Sequence, residues 1–113
     1  MIDLQSRTND YTVTLHMPDS SIASNKEFMF TAEISNGSKV ISPDQLEDYL
    51  GEKGNMVIIG TTNKKDLHVH PMVMDNKLMM HTSFPEGGVY RAWLEFKKDE
   101  KVNVADFVII VSQ

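Results

Sequence analysis

The chain has 113 residues, a formal net charge of −5, 41% hydrophobic residues and no cysteine. That length predicts one domain spanning 1–113 with a modest core. The acidic balance argues against nucleic acid as a partner, and the missing cysteines exclude disulfides, thiolate metal sites and cysteine catalysis. No apolar run approaches the roughly 20 residues of a membrane span, so this domain is not expected to insert into a membrane.

Residues 1–10 are polar and read as a flexible tail. From Tyr11 to Met17 the chain alternates, with Tyr11, Val13, Leu15 and Met17 on one face and Thr12, Thr14 and His16 on the other. That is the period of a half-buried strand. Pro18-Asp19-Ser20-Ser21 is read as its end. Glu27 to Ser35 repeats the pattern, with Phe28, Phe30, Ala32 and Ile34 inward and Glu27, Met29, Thr31 and Glu33 outward. Asn36-Gly37 signals a turn, and the short stretch Lys39-Val40-Ile41 follows.

Ser42-Pro43-Asp44-Gln45 reads as a helix start. Ser42 is the cap, Pro43 suits the first helical position and Gln45 completes a capping box. The spacing predicts two turns to Tyr49, with Leu46, Tyr49 and Leu50 facing the core and Gly51 at the C-terminal cap. Met56 to Thr61 is an apolar, β-branched strand, and Thr62 to Asp66 a polar turn. After the loop Phe84-Pro85-Glu86-Gly87-Gly88, Tyr90 to Phe96 alternates again. Its inward set is Tyr90, Ala92, Leu94 and Phe96; Arg91, Trp93 and Glu95 face outward. Lys97 to Lys101 is a charged turn, and Val102 to Val111 is the last strand.

With a hairpin at residues 68–84 these make seven strands and one short helix. No helix is long enough for a crossover, so the strands should pair antiparallel. The expectation is an all-β fold, an immunoglobulin-like two-sheet sandwich. Gly88-Val89-Tyr90 reads as a tyrosine corner, with a buried hydroxyl bonded to nearby backbone.

The unusual chemistry lies between Leu67 and Tyr90, which holds His68, His70, His81 and four methionines, Met72, Met74, Met79 and Met80. If the chain stays extended from His68 to Met74, then His68, His70, Met72 and Met74 share one face. Asp75-Asn76-Lys77 reads as the turn, and Leu78 to Phe84 as the return strand. Pairing Met74 with Leu78 puts His81 on the opposite face; a slip of one residue brings it to the His70 face.

Four fragments in order carry a family resemblance: Leu46 to Gly51 with Gly54, LHVHP at Leu67 to Pro71, Phe84-Pro85 with Gly88 to Arg91, and Trp93 to Phe96 leading to Ala105-Asp106-Phe107. Together they resemble a bacterial immunoglobulin-like domain of secreted or membrane-anchored proteins associated with heavy-metal and copper handling. The resemblance spans roughly residues 25 to 112. It implies a β-sandwich and an extracytoplasmic setting, and no established activity. Members commonly carry a histidine after the glycine of the helix-to-strand loop; here that position is Asn55.

The candidate metal ligands are His68, His70, Met72, Met74 and His81. Imidazole suits copper and zinc, and thioether suits Cu(I) in particular. His-x-His on a strand places two imidazoles about 6.5–7 Å apart on one face. Blue-copper electron transfer is excluded because it needs a thiolate, which leaves binding, carriage or storage of a copper ion. The alternative is a structural or protein-interaction domain. In that reading the methionines fill a core, the histidines bond backbone or Asp66, and Pro71 breaks the strand. No catalytic residues are expected. Ser20, Ser21 and Ser24 lack a nucleophile elbow, and Asp44, Glu47 and Asp48 suit a short helix and its solvated face. Trp93, pointing outward, is a candidate anchor for a protein partner.

Overall fold

The structure, a computed structural model, describes residues 2–17, 22–62 and 64–112. Among these residues ten strands form two antiparallel sheets. The larger sheet runs in the order β1 (Ile2–Thr8), β2 (Tyr11–Met17), β3 (Glu27–Asn36), β8 (Lys77–Ser83) and β7 (Met72–Met74), with β4 (Lys39–Ile41) also paired to β3. The smaller sheet runs β10 (Lys101–Val111), β9 (Gly88–Lys98), β5 (Asn55–Gly60), β6 (Asp66–Val69).

Alternation places the core between them. Val13 and Leu15 of β2, Phe30 and Ala32 of β3, and Leu78 and Met80 of β8 pack in one apolar cluster with Met56 and Ile58 of β5, Leu94 and Phe96 of β9, and Phe107 and Ile109 of β10. These are the positions the period of two selects as inward. At the closed end Tyr90 is fully buried and its hydroxyl donates a 2.7 Å hydrogen bond to the Glu86 carbonyl. This is the backbone bond expected of a tyrosine corner.

Three expectations are corrected. The first concerns strand number. The expected tail is β1, paired with β2 from Ile2↔Met17 to Thr8↔Tyr11. Lys39–Ile41 is a strand in its own right, and the long arm of the hairpin is two strands, β6 and β7. Polar composition hid β1 because its outward residues face water while it takes its hydrogen bonds from β2.

The second concerns the helix. Only one 3₁₀ turn forms, at Pro43–Gln45, where the Ser42 N–H donates to Gln45 Oε1 at 2.9 Å. Glu47 then donates its N–H to the Lys97 carbonyl at 2.9 Å, and Tyr49 and Glu52 exchange hydrogen bonds around a turn with positive φ at Leu50 and Gly51. A two-turn helix carries a nucleation cost that few hydrogen bonds repay, and here extended backbone pairs with β9 instead. Leu46 reaches the core as expected, whereas Leu50 is exposed.

The third is the hairpin register. Met74 pairs with Lys77 around the two-residue turn Asp75-Asn76, whose φ values are 50° and 61°. Two consecutive left-handed residues make the tight turn that matches strand twist. The turn at Pro18 to Ser21 lies outside the described residues. No helix among the described residues is long and apolar enough to cross a membrane.

Candidate functional site

The five candidate ligands fall on two different surfaces. β6 pairs with β5 through Met56↔Val69 and Val57↔His68. Met56 and Val69 are buried, so Val57 and His68 point out of the smaller sheet. On that outer face the row continues from Val57 to Trp93 and from Trp93 to Asp106. The Arg91 guanidinium lies 5.3 Å from the centre of the half-buried Trp93 ring.

His68 and His70 are both exposed, with ring centres 6.4 Å apart and planes inclined by 64°. A metal about 2 Å from a ring nitrogen lies roughly 3.2 Å from that ring's centre. Two rings holding one ion in line therefore have centres about twice that apart, which is the spacing observed. Among the described residues no three of His, Asp and Glu come together as a metal site, so the pair stands as two imidazoles.

Pro71 explains why the methionines do not join them. It is buried and stands two residues past the end of β6, after His70. Having no N–H, it cannot extend a ladder. The chain leaves the smaller sheet here, and Met72 enters the larger one opposite Met79. Leu78 and Met80 of β8 face the core, so Lys77, Met79 and His81 face outward, and Met72 and Met74 with them. The continuous His/Met face expected from 68 to 74 is thus not formed. The register is the one-residue slip from Met74–Leu78 pairing, and it moves His81 to the face of Met72 and Met74. His81 Nε2 stands 3.8 Å from Glu27 Oε2.

Sequence periodicity did not single out the residues that flank these groups. Met29 pairs with His81, and Thr31 with Met79, so Met29 and Met79 belong to the thioether face. Alternation had already marked Met29 as outward; the missing information was the β3–β8 pairing, which joins residues some fifty positions apart. On the other face, one further step of the β5–β6 register sets residue 70 opposite Asn55. Asn55 is buried and its Nδ2 donates to Glu95 Oε1 at 3.1 Å. The register thus directs position 55 toward the imidazole pair, and an amide held by Glu95 fills it.

A family model described as a domain of unknown function (DUF8832) matches residues 6–113. The chain belongs to the DUF8832 family. No curated protein and no solved structure matches it. The DUF8832 match begins within β1 and runs past the end of β10, and so includes both the imidazole pair and the thioether face.

Proposed function

We propose that this domain is a non-catalytic, extracytoplasmic metal-binding module of immunoglobulin-like type, holding copper through His68 and His70. The observation that carries the reading is the 6.4 Å separation of two exposed imidazole rings, the spacing of an in-line N–metal–N arrangement. Imidazole suits copper, and two imidazoles across the ion with water on the open side make the tetragonal N,O set that Cu(II) takes. Residue 55 precedes Met56 on the strand paired with β6, so an ion held by the pair would have a polar amide on the β5 side and water on the other. The resemblance to copper-associated bacterial domains supports both the metal and the compartment. The sandwich and the Tyr90 corner support the immunoglobulin-like reading. The test is copper titration of the unsubstituted domain and of His68→Ala/His70→Ala, with saturable binding expected only in the first.

A second reading rests on a different observation. Val102, Val104, Val108 and Ile110 of β10 and Val89 of β9 are all exposed on the outer face of the smaller sheet, Ile110 at 72%. A clustered apolar face of this kind fits an interaction domain that docks on a protein partner. In that reading Ile110→Asp weakens association with the partner and leaves copper binding unaltered.

A further inference from the structure

The outer face of the larger sheet has a second set of soft ligands, independent of His68 and His70. Its centre is Thr31. The ladders set His16 opposite Thr31 on one side and Met79 opposite it on the other. Met29 lies two residues along the same strand and points the same way. His16 and Met79 are therefore separated by two strand spacings, about 9.6 Å, with only the small Thr31 side chain between them. Both side chains are long enough to lean over it.

Two observations show that they are not simply splayed into water. Met79 points outward, between the inward Leu78 and Met80, and stands outside the core cluster, yet it is only 7% exposed. Neighbouring side chains on that face must close over it. His16 supplies the second. Its Nδ1 lies 3.0 Å from Asp3 Oδ1 on β1. A carboxylate there accepts, so Nδ1 carries a proton, and in the neutral ring the lone pair is on Nε2. That Nε2 is enclosed and has no hydrogen-bond partner among the described residues. The two ring nitrogens point in nearly opposite directions, so Nε2 is directed away from Asp3, toward β3. A buried acceptor without a partner is costly, and a carboxylate on the far nitrogen is how proteins orient an imidazole that ligates a metal.

We propose that this face binds a soft monovalent cation, Cu(I) or Ag(I), above Thr31, through Nε2 of His16 and the thioether sulfurs of Met29 and Met79. One nitrogen and two thioethers form a three-coordinate soft set, which selects Cu(I) over Zn(II). Met72 beside Met79 and His81 beside Met29 border the site.

The test uses Ag(I), which needs no reductant, on the 113-residue chain carrying His68→Ala/His70→Ala, so that the imidazole pair cannot contribute. With ¹³C-methyl-labelled methionine, the Met29 and Met79 signals are expected to shift and saturate near one equivalent. Those of the core residues Met56 and Met80 stay in place. Met79→Leu and, separately, Met29→Leu keep side-chain volume and are expected to weaken Ag(I) binding about tenfold or more. Unmoved Met29 and Met79 signals through several equivalents, or undiminished Ag(I) affinity in both leucine variants, would overturn the proposal. Loss of Cu(II) binding on removing His68 and His70 bears only on the other site, so the two readings fail separately.

Discussion

Asn55, one register step beyond the Met56↔Val69 pair, donates a 3.1 Å hydrogen bond to Glu95. Position 55 therefore lies next to the strand that carries the imidazole pair. Asn55→His places a third imidazole beside His68 and His70, which brings the site to the three-histidine set of many zinc centres. Zn(II) affinity should rise about tenfold or more, measured by competition with a chromophoric chelator. An unchanged affinity would mean that residue 55 does not face the pair.

Because Pro71 carries the chain from one sheet to the other, the two ligand sets should behave independently. His81→Ala is expected to leave Cu(II) affinity unaltered, while His68→Ala abolishes it. Isothermal titration of both variants checks this, and equal losses would show that the sets act as one.

Gly54 precedes Asn55, and a Cβ there would lie 3.2 Å from the Glu95 carbonyl and 3.7 Å from the Pro71 ring. Gly54→Ala must push backbone rather than a flexible side-chain end. It should cost about 1–3 kcal/mol by overpacking, read from urea denaturation. A neutral substitution would contradict the close packing of the β5 entry against the crossover.

Tyr90→Phe removes the hydroxyl that donates to the Glu86 carbonyl. With Tyr90 fully buried, the expected loss is about 1–3 kcal/mol, seen as a lower urea midpoint at unchanged slope. An unchanged midpoint would remove the corner's energetic role.

Much of the fold was legible because alternation reports directly on burial. Tyr11, Val13, Leu15, Phe30, Ala32, Ile34, Leu94 and Phe96 were marked inward by period alone and are buried. What remained hidden depended on partners distant in the chain. β1 has a polar sequence and takes its order from β2. The segment after Gln45 carried good helix signals, but the Lys97 carbonyl captures it as extended backbone. The candidate site was half legible for the same reason. His-x-His spacing is local and survives as a 6.4 Å pair. The union of those histidines with Met72 and Met74 assumed one continuous strand, and a proline without an N–H ends it at residue 71. Met29 and Met79 are joined only through the pairing of β3 with β8.

The measurement closest to the central claim is urea unfolding with and without a fixed excess of copper. It is run on the unsubstituted chain and on His68→Ala/His70→Ala, with Cu(II) as the ion so that the thioether face does not contribute. A ligand that binds only the folded state must stabilise it, by about 2.7 kcal/mol at a hundredfold excess over its dissociation constant. Imidazole must be deprotonated to ligate, so this stabilisation should also fade on acidification. A copper-dependent shift of the midpoint is expected in the unsubstituted chain and is expected to vanish in the double variant. Coincident curves with and without copper in the unsubstituted chain, or an equal shift in both proteins, would contradict it.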